Sequence, residues 1–141
     1  MPYRLSVLTN RVSSAIARHY SQRFSLSIPE WRVMAVLGQT PGLSAREVAE
    51  RTAMDKVQVS RAVQSLLAAR RLSRVAHARD GRIAHLSLSA RGQAIYDEVV
   101  PLALMLEKQF LSVLSAEERK ALDVLLTKLS AAPAAMTTDF D

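Results

Sequence analysis

The chain has no cysteine. That excludes disulfides, cysteine-ligated zinc and thiol redox chemistry. Glycine is scarce, at four in 141 residues that do not cluster, so no glycine-rich phosphate loop or dinucleotide fingerprint can be assembled. No run of about 18 apolar residues is present to span a bilayer. The early apolar residues are spaced rather than contiguous, unlike a signal peptide. The expected setting is therefore the cytoplasm, with no membrane contact. His19, His77 and His85 lack metal-ligand spacing and no carboxylate cluster supports them, so neither a metal nor a cofactor is expected. The adjacent carboxylates Asp97-Glu98 and Glu117-Glu118 fall on helix surfaces, and no Ser-His-Asp arrangement accompanies them. The chain is not expected to be an enzyme.

What the chain does have is positive charge, unevenly placed. It carries 19 Lys and Arg against 13 Asp and Glu, a formal +6. A pI near 10.3 favours a polyanionic partner, either nucleic acid or an anionic surface. Between Asp55 and Arg82 there are seven Lys or Arg against two Asp, so +5 of the +6 sits in that segment. The length suits one domain over 1–141 with a single core.

The hydrophobic pattern divides the chain into mainly α elements. Leu5, Leu8, Val12, Ala15, Ile16 and His19/Tyr20 recur at steps of three and four, which predicts an amphipathic helix over 3–24. Ser27 with Glu30 three residues on, and Pro29 in the first turn, opens a second helix to about Gln39. Its expected buried face is Trp31, Met34, Ala35 and Leu37 or Val36. Ser44 and Glu47 form another capping-box pattern, with Leu43, Val48 and Ala49 facing inward. Thr52-Ala53-Met54 makes a turn, and Asp55 caps a helix from Lys56 to about Arg70. The period then changes from 3.6 to 2 around Asp80-Gly81, which predicts a β-hairpin. A long helix follows from Ser89 or Ala90 to about Leu114, with Pro101 expected to kink it or shift its register. Ser115 opens a last helix through Leu129.

Helix, turn, helix, strand, turn, strand is a winged helix-turn-helix over 27–89, flanked by helices at 3–24 and 90–129. Val59, Val63, Leu66 and Leu67 would bury the helix after Asp55 and leave Gln58, Ser60, Arg61 and Gln64 outward. Those side chains suit base edges, since Arg forks onto guanine and Gln onto adenine. Lys56, at the helix start, suits a phosphate, and Ser44 with the free N–H groups beside it could serve likewise. The hairpin tip holds Arg79, Asp80, Gly81 and Arg82, where an arginine gains from a narrow minor groove. Asp80 would then orient Arg82 rather than touch DNA.

The string RDGRIAHLSLSARGQAIYDEV resembles the wing and following helix of the MarR (multiple antibiotic resistance regulator) family. Asp80, Arg82, Leu86, Leu88 and Gly92 match its pattern, and Ser89 stands for the usual threonine. DKVQVSRAVQSLL is similar to the family's recognition helix, and the opening segment resembles its dimerisation helix, so the likeness runs from about Leu5 to Leu129. The resemblance implies a homodimer on a pseudo-palindromic operator in double-stranded DNA, usually acting as a repressor released by a ligand. The flanking helices would dimerise. It also implies a cleft for a small aromatic or anionic effector, such as an aromatic acid or its CoA thioester. Candidate lining residues are His19, Tyr20, Arg23 and Trp31. The competing reading is a winged-helix module that coats DNA without sequence preference or contacts protein. The mixed amide and arginine face of the recognition helix argues against it.

Overall fold

Side-chain caps set where most helices begin. In the computed structural model, which describes residues 1–76 and 83–132, the Ser27 hydroxyl accepts from the Glu30 N–H and the Glu30 carboxylate accepts from the Ser27 N–H, each at 3.2 Å. This reciprocal box opens α2 (Ile28–Gln39) after α1 (Pro2–Phe24), which ends at Ser25 in the left-handed conformation. Ser44 accepts from the Glu47 N–H and opens α3 (Ala45–Thr52). Only that half of the expected box forms there. Asp55 accepts from the Gln58 N–H at 2.8 Å and opens α4 (Lys56–Ala68). β1 (Leu72–Ala76) and β2 (Ala84–Leu88) pair antiparallel, from Leu72 opposite Leu88 to Ala76 opposite Ala84. α5 (Ala90–Phe110) contains Pro101, and a 3₁₀ turn at Leu111–Val113 replaces its expected last turn. There the Leu114 N–H bonds back to the Leu111 carbonyl, and Ser115 caps α6 (Ala116–Ala131) through a second complete box with Glu118.

The chain forms two compact units, Met1–Ala103 and Leu104–Asp141. The first holds the core, in which Tyr20, Met34, Leu37, Val48, Val59, Leu66, Leu86 and Val99 are almost completely removed from solvent. Burying each large apolar side chain of this kind is worth about 1.5–3 kcal/mol. α2 differs from expectation in one respect. It buries Val33, Met34 and Leu37, while Trp31, Ala35 and Val36 are half-buried. α1 likewise buries Ala17 and Tyr20 and leaves Leu5 and Leu8 exposed. In the second unit no residue of α6 is buried, and Leu122, Leu125, Leu126 and Leu129 are exposed. No single helix among the described residues is long and apolar enough to cross a membrane.

Candidate nucleic-acid interface

α3 and α4 meet through a turn in which Ala53 adopts the left-handed conformation (φ 53°) and Met54 is buried. Val59, Ala62, Val63 and Leu66 then bury one face of α4. The 3.6-residue period leaves Lys56, Val57, Gln58, Ser60, Arg61 and Gln64 exposed together on the other. No side-chain hydrogen bond to another described residue occupies Gln58, Arg61 or Gln64. Among the described residues, nothing occupies these donors and acceptors. The five polar residues proposed on α4 from the sequence, Lys56, Gln58, Ser60, Arg61 and Gln64, all lie on this exposed face.

The face has members that the sequence pattern did not single out. Val57 is 59% exposed although it is β-branched and apolar, the kind of group that meets a thymine methyl. Its one signal in the sequence is that it falls out of phase with the buried stripe. A groove of about 330 Å³ runs beside α4 and is lined by Arg46 of α3, Lys56, Ser60, Gln64 and Arg74 of β1, among others. Three cations around one groove suit a phosphate backbone. Arg46 also pairs with Glu50 at 3.4 Å, an exposed contact one helical turn away that adds little. Ser44 is half-buried, and its hydroxyl accepts the α3 capping bond.

Arg79, Asp80 and Arg82 lie outside the described residues, as do Gly81 and His77. The base of the wing is described and is tied to the loop after α2. The Gly42 N–H donates to the Leu86 carbonyl and the Leu86 N–H to the Leu43 carbonyl, both at 2.8 Å. His85 Nδ1 stands 2.6 Å from the Gly42 carbonyl oxygen.

The four residues proposed for an effector separate into two kinds. Tyr20 and Trp31 come together, their ring centroids 5.7 Å apart, and Tyr96 continues the row at 6.0 Å from Trp31. Tyr96 was not anticipated. Gly38 permits its position, since a Cβ at Gly38 would stand 2.2 Å from the Tyr96 ring. Tyr20 is buried, and burial pushes its phenol up to about 12, partly opposed by the nearby Arg32 guanidinium. His19 and Arg23, in contrast, are exposed. Arg23 bonds Glu98 at 2.7 Å, so its charge already has a partner. The guanidinium near Tyr20 is that of Arg32, half-buried, donating to the Ser13 hydroxyl at 3.3 Å and without a carboxylate partner among the described residues.

Three of the four carboxylates weighed for catalysis are engaged at the surface. Asp97 accepts from Gln93, Glu98 holds Arg23, and Glu118 completes the α6 cap. No group of His, Asp and Glu able to hold a metal occurs among the described residues.

Comparison with known proteins agrees with this geometry. The model of the MarR family matches residues 24–83, which span α2 to the wing. The helix-turn-helix transcriptional regulator BilQ of Clostridium symbiosum is 32% identical over 108 residues, 77% of this chain and 75% of its own. A helix-turn-helix transcriptional repressor of Mycobacterium tuberculosis is 27% identical over 128 residues, 90% of this chain and 88% of its own. Among solved structures, Bordetella bronchiseptica BpsR, whose DNA binding is regulated by 6-hydroxynicotinic acid, superposes with a TM-score of 0.81 at 24% identity, over 92% of each chain. With the order of its elements, its exposed helix α4, the family match and a regulator 32% identical over 77% of the chain all in agreement, the chain belongs to the MarR family of winged helix-turn-helix, DNA-binding transcriptional regulators.

Proposed function

We propose that the protein is a homodimeric repressor that reads a pseudo-palindromic operator through α4 and is released by a small aromatic or anionic effector. The observation that carries the reading is the outer face of α4. Its polar side chains are exposed and uncommitted among the described residues, while the opposite face is locked in the core. Residues 27–89 form the reading head, with Ser44, Lys56, Arg46 and Arg74 on phosphates and Gln58, Ser60, Arg61 and Gln64 on bases. Arg79 and Arg82 serve the flanking minor groove, with Asp80 orienting Arg82. The helices over 3–24 and 90–129 pair two copies. Their exposed leucines support this, because a folded monomer does not normally leave such stripes to water. Repression agrees with the role of the mycobacterial relative. Binding to DNA, rather than catalysis, is the activity, and the cytoplasm is where it would meet the genome.

For the effector, the half-buried rings of Trp31 and Tyr96, backed by the buried Tyr20, supply flat apolar surface. Arg32 replaces Arg23 as the cation of choice, since Arg23 is held by Glu98. An aromatic acid or its CoA thioester fits that chemistry, in keeping with the aromatic acid that acts on BpsR. His19 would stand at its edge.

The deciding experiment is selection of bound sequences from random duplex DNA by the wild type and by single variants. Arg61→Ala and Gln64→Ala should each shift preference at one base pair by about 1–3 kcal/mol. Val57→Ser should relax discrimination where a thymine is chosen. Losses uniform over all sequences would assign these residues to the backbone and favour the coating role.

A further inference from the structure

Three helix ends meet where the chain leaves the reading helix for the wing. Arg70 adopts the left-handed conformation (φ 58°). Its N–H donates to the Leu67 carbonyl at 3.0 Å, and the Arg71 N–H donates to the Leu66 carbonyl at 2.8 Å. That pair of bonds is a Schellman ending, in which the residue at the Arg71 position is frequently apolar and packs back on its own helix. Arg71 does something else. Its guanidinium donates to the Phe24 carbonyl, in the last turn of α1. Its backbone carbonyl meanwhile accepts from the Ser89 N–H at 3.0 Å. The Ser89 hydroxyl donates to the Arg70 carbonyl at 2.7 Å and accepts from the Gly92 N–H at 3.0 Å, capping α5. The ends of α1 and α4 and the start of α5 thus converge on two consecutive residues.

The Nε of Arg71 is buried with no partner among the described residues. An unpaired buried donor opposes folding, so a leucine here would serve stability at least as well. A leucine could not bond the C-terminal end of α1, where the free carbonyls and the negative end of the helix dipole attract a cation. The arginine is therefore better explained by geometry than by stability.

We propose that Arg71 is a positioning residue: its bond to the Phe24 carbonyl sets the angle between α1 and the α4–wing junction, and so the separation of the two reading helices in the dimer. This rests on the dimer reading above. There α1 belongs to the pairing helices and α4 to the head, and the Arg71 bond joins them directly. Successive major grooves demand reading helices about 34–36 Å apart, so a loosened joint changes which operators fit.

The test uses the palindromic duplex selected from random DNA by the wild-type protein, together with the same duplex lengthened at its centre by one or two base pairs. Wild type should lose at least about tenfold in affinity per added base pair, and Arg71→Leu less than about threefold, with melting temperature and dimer mass unchanged. Arg71→Lys, which can still donate to the Phe24 carbonyl, should restore the wild-type discrimination. Equal discrimination by Arg71→Leu and wild type would overturn the proposal and leave the dimer reading standing. Indifference to spacing in the wild type itself would overturn both. An unfolded Arg71→Leu with a fully folded Arg71→Lys would show that the side chain holds the fold rather than its geometry, and would also overturn the proposal.

Discussion

Tyr20 does two things that a phenylalanine could not do together. Its ring fills the core and packs against Trp31 at a tilt of 46°, and its hydroxyl keeps its proton to about 12 because burial penalises the phenolate. An unfolded tyrosine titrates near 10. Above that pH the unfolded chain gives up a proton that the folded chain retains, so stability is complete below about 10 and falls as pH rises towards 12. The loss should approach 2–3 kcal/mol, roughly two pKa units at about 1.4 kcal/mol each. Urea unfolding at pH 9 and pH 11.5 should reveal this decline in the wild type and a shallower one in Tyr20→Phe. Equal slopes would remove Tyr20 as the cause. Val57 makes a different point about single side chains. An apolar group at 59% exposure is a poor choice for a helix that only holds a fold, and a sensible one for a helix that meets thymine.

The capping patterns at Ser27, Asp55 and Ser115 located helix starts from the sequence, because a cap is a local event within four residues. The buried stripe and outward face of α4 were legible for the same reason: periodicity is local too. Contacts between distant segments carry no such signal. Nothing in the spacing foretold that Arg71 would reach Phe24, that Tyr96 would extend the Tyr20–Trp31 row, or that Arg23 would find Glu98. The choice of Val33 over Trp31 for burial was missed because it depends on what α2 packs against. Gly92 illustrates how α5 depends on a remote carbonyl. A Cβ there would stand 2.0 Å from the Arg71 oxygen, and backbone cannot yield as a side chain can. Gly92→Ala should lower stability by about 1–3 kcal/mol and weaken DNA binding with it, measured by denaturant titration. Gly38→Ala, whose nearest neighbours are side-chain atoms of the Tyr96 ring rather than backbone, should be the milder change.

α6 offers Leu122, Leu125, Leu126 and Leu129 to solvent and buries none of them. Pairing of two copies would cover this stripe, and Leu125→Asp tests it. At 56% exposure Leu125 supports no core of its own chain, so the variant should fold normally. Its mass in solution, by sedimentation, should fall to that of one chain of 15.5 kDa, with DNA affinity dropping sharply. An unchanged mass would move the interface elsewhere. The base of the wing has a further consequence, for how the molecule assembles. His85 and Gly42 meet across 43 positions of chain, and the Leu43–Leu86 bridge lies at the same remove. Closing so wide a loop spends entropy before any contact rewards it. The docking of the hairpin on Leu43 should therefore settle late, after the four helices before it have collapsed, and a ribosome must deliver Leu86 before Leu43 finds its cover.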